Sequence, residues 1–452
     1  MAETPKSQAS LSGPIDKSMF SSLRVRDFRF LWGGTLASSF AMNIQIVARG
    51  WLVYEMTESA LKLSWVMLSF AIPQVLFALL GGALADRVAK KTLMMTAQSA
   101  NFLAALIMAW FVFTEQVTFW HFIWLGFFNG TVLALSMPSR QSIIPQVVGQ
   151  QQVMNAISLN SASMNLSRIL GPALAGGLIA IFHVEGTIPY FGVGLVYLII
   201  ASLYFIAATS VSFVNISGKS KRMNDNSVVK DIGEGISYII RTPVMYGLVL
   251  LGTVPMMFGM PLQQLMPAFN ASVLEGGPSS LGFLQMAMGI GAITGTLILA
   301  RMGDTGNKGR LLFGGLVIWG SAITLFTFSN TLPMALALGG FAAIFSSSLM
   351  ALNRSLMQLQ APDHMRGRIM SVDQMAHGFM PVGILPIGYL ADQIGVQGGL
   401  QVSAGMLILI TLICLWWLPD VRRLDKGYRD EEPPAEEPLT VPEDTEPDTT
   451  VR

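Results

Sequence analysis

Charge is scarce in this sequence. Only 12% of its 452 residues are Asp, Glu, Lys or Arg, 52% are hydrophobic, and the mean hydropathy is +0.54. Soluble domains carry about 25% charged residues, so a water-soluble enzyme is excluded as the working class and a polytopic membrane protein takes its place. Cysteine is nearly absent. The one thiol, Cys414, sits in the apolar run LILITLICLWWLP, which rules out an intramolecular disulfide and a cysteine metal cluster and marks Cys414 as a small apolar packer. The first 20 residues, MAETPKSQASLSGPIDKSMF, hold no apolar run of signal-peptide type, so membrane insertion is expected to begin at the first internal span. The phosphate loop G-x-x-x-x-G-K-[ST] does not occur, which argues against ATP drive by this chain.

What the chain does have is apolar segments of membrane length. A helix needs about 20 apolar residues to cross hydrocarbon, and twelve such segments can be placed. The first six fall near 28–54, 62–85, 92–113, 119–138, 153–183 and 187–209. The second six fall near 243–270, 279–302, 309–329, 331–357, 364–394 and 398–419. With the span ends taken to within several residues, 25 of the 28 Lys and Arg fall on the N-terminal side, in the C-terminal tail, or after spans 2, 4, 6, 8 and 10. Lys62 alone falls in a loop on the opposite side, and Arg49 and Arg168 lie inside spans. Basic loops stay in the cytoplasm, so both termini are expected there.

The organisation that follows is a 1–23 N-terminal tail, a 24–209 six-helix bundle, a 210–242 cytoplasmic loop, a 243–419 second bundle and a 420–452 tail. Within the central loop, VVKDIGEGISYII reads as a short amphipathic helix on the membrane surface. From Asp430 to Arg452 there are nine acids and one base, a Pro-rich solvating tail expected to be disordered. The halves repeat weakly. A shift of 213 pairs Gly82 and Leu84 with Gly295 and Leu297, and a shift of 212 pairs Gly171 and Gly176 with Gly383 and Gly388. Pseudo-symmetric halves are how many secondary transporters build a site near the membrane midplane.

Three motifs stand on this frame. Gly82-x-Leu84-Ala85-Asp86-Arg87-x-x-Lys90-Lys91 occupies the turn between spans 2 and 3, where a generic basic loop would explain the lysines but not Asp86. In span 5, RILGPALAGGL contains Gly171, Pro172, Gly176 and Gly177. Before span 11, Arg366-Gly367-Arg368 precedes Met370-Ser371. Together with the helix count they resemble the major facilitator superfamily, in the branch of siderophore exporters of enterobactin type and macrolide-efflux proteins. The fold this implies is an all-α polytopic membrane protein, 12 transmembrane helices in two pseudo-symmetric six-helix bundles around a central cavity. The resemblance implies that Asp86 latches the N-terminal end of span 11 when the inner gate closes, with Arg87, Lys90 and Lys91 pairing with acids or lipid phosphates. Ala89 stands where the family usually has glycine, which predicts a tighter or strained turn. The span 5 motif resembles that of antiporters, an association with export.

Ionisable groups inside spans cost at least about 2.5 kcal/mol each on insertion scales and are functional candidates by default. Asp373 and His377, four residues apart on one helical face, are candidates to carry a coupling proton. Arg49 and Arg168 are candidates for an anionic substrate group, against snorkelling for Arg49 and an interdomain contact for Arg168. Asn43, Gln45, Asn129, Asn165, Gln263, Gln264 and Asn353 add polar substrate-binding candidates, although such residues more often bond helix to helix. No acid lies deep in the first six spans. Met256, Met257, Met260 and Met266 in span 7 offer an adaptable wall.

The function expected is secondary active export of an amphipathic small molecule, drug-like or siderophore-like, by alternating access. Import of a small metabolite and a non-transporting sensor or scaffold are the alternatives. No enzymatic step, cofactor, metal or nucleic acid is expected. The expected partners are a small-molecule substrate, protons and the lipid of a bacterial inner membrane, with the chain a monomer.

Overall fold

The computed structural model describes residues 20–182, 190–215, 228–303, 306–362, 365–376 and 380–424. Residues 1–19 and 425–452 of the tails, 216–227 of the central loop and His377 lie outside the described residues. The first half runs α1 (Arg26–Thr57), α2 (Ala60–Arg87), α3 (Lys90–Phe113), α4 (Phe119–Val148), α5 (Val153–Ile181) and α6 (Phe191–Ser212). The surface segment α7 (Val228–Arg241) forms the helix its pattern predicts and leads into α8 (Pro243–Phe258), α9 (Pro261–Gln264) and α10 (Met266–Ser272). Then come α11 (Pro278–Met302), α12 (Lys308–Thr327), α13 (Leu332–Gln360), α14 (Arg366–Ala376), α15 (Met380–Trp417) and the closing turn α16 (Pro419–Arg422).

Among the described residues, ten helices are long and apolar enough to cross a bilayer. Twelve crossings are consistent with this, because α1 is itself 32 residues long and α15 is two helices joined at Gly395, whose φ of 83° ends one span and starts the next. That position is open to glycine because φ is positive and no Cβ is needed. Span 7, which the sequence reads as continuous, is broken in the structure. Pro255, Pro261 and Pro267 each lack an N–H, and the helix restarts twice within 243–272. Span 4 departs in the other direction. α4 continues through Pro138 and Pro145 to Val148, ten residues beyond the expected end, and so takes in Arg140.

Small residues set the helix spacing. A Cβ on Gly81 would lie 2.2 Å from the Ala134 carbonyl oxygen, and one on Gly130 2.2 Å from that of Phe70, so α2 and α4 pack backbone to backbone. The second half repeats this in its corresponding pair, α11 on α13, where Gly291 faces the Gly340 carbonyl and Gly295 that of Ile344, each at 2.1 Å from the built Cβ. Between the halves, Gly176 of α5 sits on Pro278 and Gly282 of α11. Gly171 packs instead on Asn43 of α1, and Gly177 faces open space, so only part of the span 5 motif is a packing device. Tryptophans are exposed at both ends, Trp110 and Trp120 beside the α3–α4 turn and Trp416 and Trp417 at the end of α15, as interfacial anchors are in membranes.

Because lipid offers helices no hydrophobic reason to associate, these close approaches carry the packing. Gly130→Ala and Gly291→Ala should each lower thermal stability in detergent, by about 1–3 kcal/mol as for overpacked cores. Gly314→Ala and Gly405→Ala, with nothing within 4 Å of the added carbon, should leave it unchanged or raise it. Equal midpoints for the two pairs would contradict the packing described.

Candidate functional site

The candidate residues separate into three places: a cavity in each half and a contact between the halves. The first-half cavity, about 40 Å³, lies among α1, α2, α3, α4 and α6. Gln45 and Arg49 reach it from α1 and Asn129 from α4, as the sequence suggests. Arg140, which sequence reasoning assigns to a cytoplasmic loop, lines it too. Its signal is the run of apolar residues on both sides of SRQS, masked by the two prolines that a helix inside the membrane tolerates.

Arg49 is 2% exposed, so snorkelling does not account for it. Its Nε has no hydrogen-bond partner, one terminal nitrogen is 3.9 Å from the Met67 sulfur, and the guanidinium stands 5.5 Å from the centre of the Phe70 ring. Arg140 donates to the Ser38 hydroxyl at 2.6 Å. Nearby, the Tyr204 hydroxyl donates to Gln45 Oε1 at 3.3 Å. The side-chain oxygens of Gln98 and Asn101 on α3 are buried and unbonded.

The second-half cavity, about 270 Å³, lies among α8, α12, α13 and α14 and is lined by Asn353, Arg354 and Asp373, with Trp319 and Met256 as apolar wall. Asp373 is 9% exposed, and the Asn353 side-chain oxygen is buried without a partner. This brings Asp373 and Asn353 together. Asn43, Asn165, Arg168, Gln263 and Gln264 line neither cavity. Asn43 is committed to the Ser39 carbonyl at 2.8 Å, and Arg168 and Asn165 are exposed on α5.

The inter-half contact was not foreseen. Asp392, in the first helix of α15, sits on the N-terminus of α2. Its carboxylate accepts from the Ser59 hydroxyl at 2.6 Å, the Ala60 N–H at 2.7 Å and the Leu61 N–H at 3.3 Å. Ser59 in turn accepts from the Lys62 N–H. Between them they satisfy the N–H groups that the start of any helix leaves unpaired, and the carboxylate also meets the positive end of the helix dipole. Below it, Gly388 lets α15 approach Ser64. The available signal was a repeat: Gly388-x-Leu390-Ala391-Asp392 matches Gly82-x-Leu84-Ala85-Asp86 at five-residue length. The two segments end different helices of the same pair, at opposite ends of the molecule.

At the other end, Asp86 lies in the last turn of α2, and its side chain is outside the described part of the structure. Ala89 caps α3 at φ −57°, so the turn needs neither glycine nor strain. Lys91 does not pair with an acid. Its Nζ donates to the carbonyls of Ser212 at 2.7 Å and Val214 at 2.6 Å, and Lys90 reaches the Ser142 carbonyl at 3.3 Å. Carbonyls at the C-terminal end of α6 are unsatisfied within the helix and sit at its negative pole, a better acceptor for a fixed ammonium than a mobile acid. Arg368, from the motif before span 11, pairs with Glu234 of α7 and so ties the surface helix to α14.

A family model described as transmembrane secretion effector matches residues 17–445. The chain is 23% identical to macrolide efflux protein A of Streptococcus pyogenes over 88% of this chain and 97% of that one. It is 25% identical to the multidrug efflux pump Tap of Mycolicibacterium fortuitum over 86% and 95% of the two. Among solved structures, a bacterial homologue of the human lysosomal transporter Spinster, inward-facing and unoccupied, superposes with a TM-score of 0.67 at 13% identity, covering 90% of this chain and 97% of that one.

If Asp392 holds the halves together, its loss should loosen that end. In a Cys414→Ser background, a cysteine at buried Ser64 of α2, covered by Gly388, should react several-fold faster with an impermeant maleimide when Asp392 is Ala. Unchanged labelling would mean the contact is incidental.

Proposed function

The chain belongs to the transmembrane secretion effector family of the major facilitator superfamily, and on that premise we propose that it is a secondary exporter of an amphipathic small molecule, working by alternating access in a bacterial inner membrane. The observation that carries this is the Asp392 contact: the halves are joined at the end away from the basic turns by a cap that can release. Both curated relatives are efflux proteins by name, which supports export over import, as does the Gly-Pro motif of α5. A sensor or scaffold would need neither a releasable cap nor ionisable groups in both cavities.

In this reading the basic end is cytoplasmic, with both termini, and the Asp392 contact closes the outer side. Asp86 makes the reciprocal contact, capping α14 when the inner side closes, and Arg87 serves the same turn. The 24–209 and 243–419 bundles then rock about the α5–α11 contact. A carboxylate at a helix N-terminus contributes about 0.3–1 kcal/mol where exposed. That biases two states by a factor of about 2–5, which ligand binding of a few kcal/mol overrides in either direction. When the halves part, Gln45, Arg49 and Asn129 meet cargo from the first-half cavity and Asn353 from the second-half cavity, with Arg168 and Asn165 reaching it from α5. Asp373 carries the coupling proton, with His377 four residues on as its modulator.

Efflux of a fluorescent amphipathic dye from loaded proteoliposomes, with and without an inward proton gradient, tests the whole scheme. Efflux should be accelerated by the gradient, and an inability to move any of a panel of such dyes would leave the scaffold reading. Asp373→Asn should lose the gradient dependence yet bind dye with unchanged affinity, whereas a merely structural Asp373 would lose expression and binding together. Reporter fusions after residues 60, 117, 276 and 330 should read external, and two or more reading cytoplasmic would overturn the orientation.

A further inference from the structure

The first-half cavity holds two guanidinium groups, Arg49 and Arg140, and neither is ion-paired with any described residue. The sequence makes this stricter, because the six spans of this half contain no acid away from their ends. A guanidinium does not lose its proton in a protein, so the pocket cannot neutralise itself by titration. The second half solves the same problem internally. There Arg354, on the corresponding fourth helix, shares its cavity with Asp373. The 212-residue shift that pairs α5 with α15 places Ser161 where the second half has Asp373.

We propose that this pocket is an anion site, which takes the carboxylate of an amphipathic cargo. Four observations converge on it. Arg49 is more than nine-tenths buried, lines the cavity, and has an Nε without a hydrogen-bond partner. The planar fork of a guanidinium matches a carboxylate in two parallel hydrogen bonds. Gln98 and Asn101 bring two carboxamides with no partner at their oxygens, and a half-turn of either amide presents an N–H₂ donor instead. Finally, at about 40 Å³ the space holds a carboxylate or a single small anion but not a whole drug-sized ligand, which needs about 300 Å³ or more. Met42, Ile46, Phe70 and Leu133 form the apolar part of its wall, against which the carbon next to the carboxylate packs.

The site stands on its own geometry, and its assignment to cargo rests on the export reading. Free chloride would satisfy the same guanidiniums, so the test separates the two sources. Full-length protein in uncharged detergent, in a buffer of minimal ionic strength, is unfolded thermally while a thiol-reactive dye reports the exposure of buried Cys414. The probes are 1-naphthylacetate, its neutral analogue 1-naphthylacetamide, and sodium chloride. The acid should raise the midpoint by several degrees, saturably, and the amide should not. Arg49→Gln and Arg140→Gln should each abolish the shift, and each should unfold no lower than the unmodified protein without anion, since an unneutralised buried charge has been removed. Arg49→Lys keeps the charge without the fork and should need roughly tenfold more acid. If chloride shifts the midpoint as much as the acid does at equal concentration, the anion site stands with a free anion as its ligand.

Equal shifts by acid and amide, no shift with either anion, or shifts that survive both Gln substitutions would overturn the proposal. The export reading fails separately. Anion binding without any dye efflux would remove transport and keep the site, and efflux without anion binding would remove the site and keep transport.

Discussion

Hydrocarbon offers no hydrogen bonds, and that one constraint shapes every part of this molecule. Backbone groups must be satisfied within each segment, so the chain is helical wherever it is described within the membrane. Where proline interrupts that ladder, in span 7, the helix is split into three pieces, and these lie against other helices with most of α10 buried. The same constraint removes the hydrophobic drive for helices to associate. Contact comes instead from backbone approach at Gly81, Gly130, Gly291 and Gly295, which repeat in the two halves because the halves face the same problem.

The constraint also decides where polar side chains sit. A polar group facing lipid is costly, whereas one inside a half can find partners, so Gln45, Arg49, Asn353 and Asp373 are all buried. Between the halves the alternating-access reading sets the opposite requirement, because a contact that opens in each cycle cannot be deep or strong. Asp392 fits that need: it is a solvent-exposed carboxylate on a helix end, held by two short hydrogen bonds and one longer one that water can replace. The span 2 and span 11 helices each end in the same Gly-x-Leu-Ala-Asp sequence, so the pair carries one carboxylate toward each face of the membrane.

The spans were legible in the sequence because hydrophobic length is a one-dimensional signal. Predicted and observed limits of α3 and α11 agree within two residues, and the turn between the last two spans falls at Gly395 as placed. Span 4 failed for the same reason the others succeeded: Ser139, Arg140, Gln141 and Ser142 are polar enough to look like a loop, yet they continue the helix. Side-chain direction was not legible. Arg49 and Arg168 look alike as intramembrane arginines, but one is sealed inside a half and the other is exposed on α5. Nor does periodicity report contacts between segments 330 residues apart, which is why Asp392 escaped notice.

The two halves, similar in packing, differ in charge. The second-half cavity contains its own carboxylate beside Arg354, while the first-half cavity has two arginines and no acid within its spans. In the proposed scheme, a duplicated scaffold that keeps its glycines but not its charges divides two tasks between its copies. In that scheme the half with the acid gains and loses the coupling proton at Asp373, without importing an ion. The half without one changes its net charge only when an anion enters or leaves. An exporter needs both kinds of event, one tied to the driving gradient and one tied to the cargo. Placing them in separate bundles lets each bias the same rocking motion without the two ligands competing for one pocket.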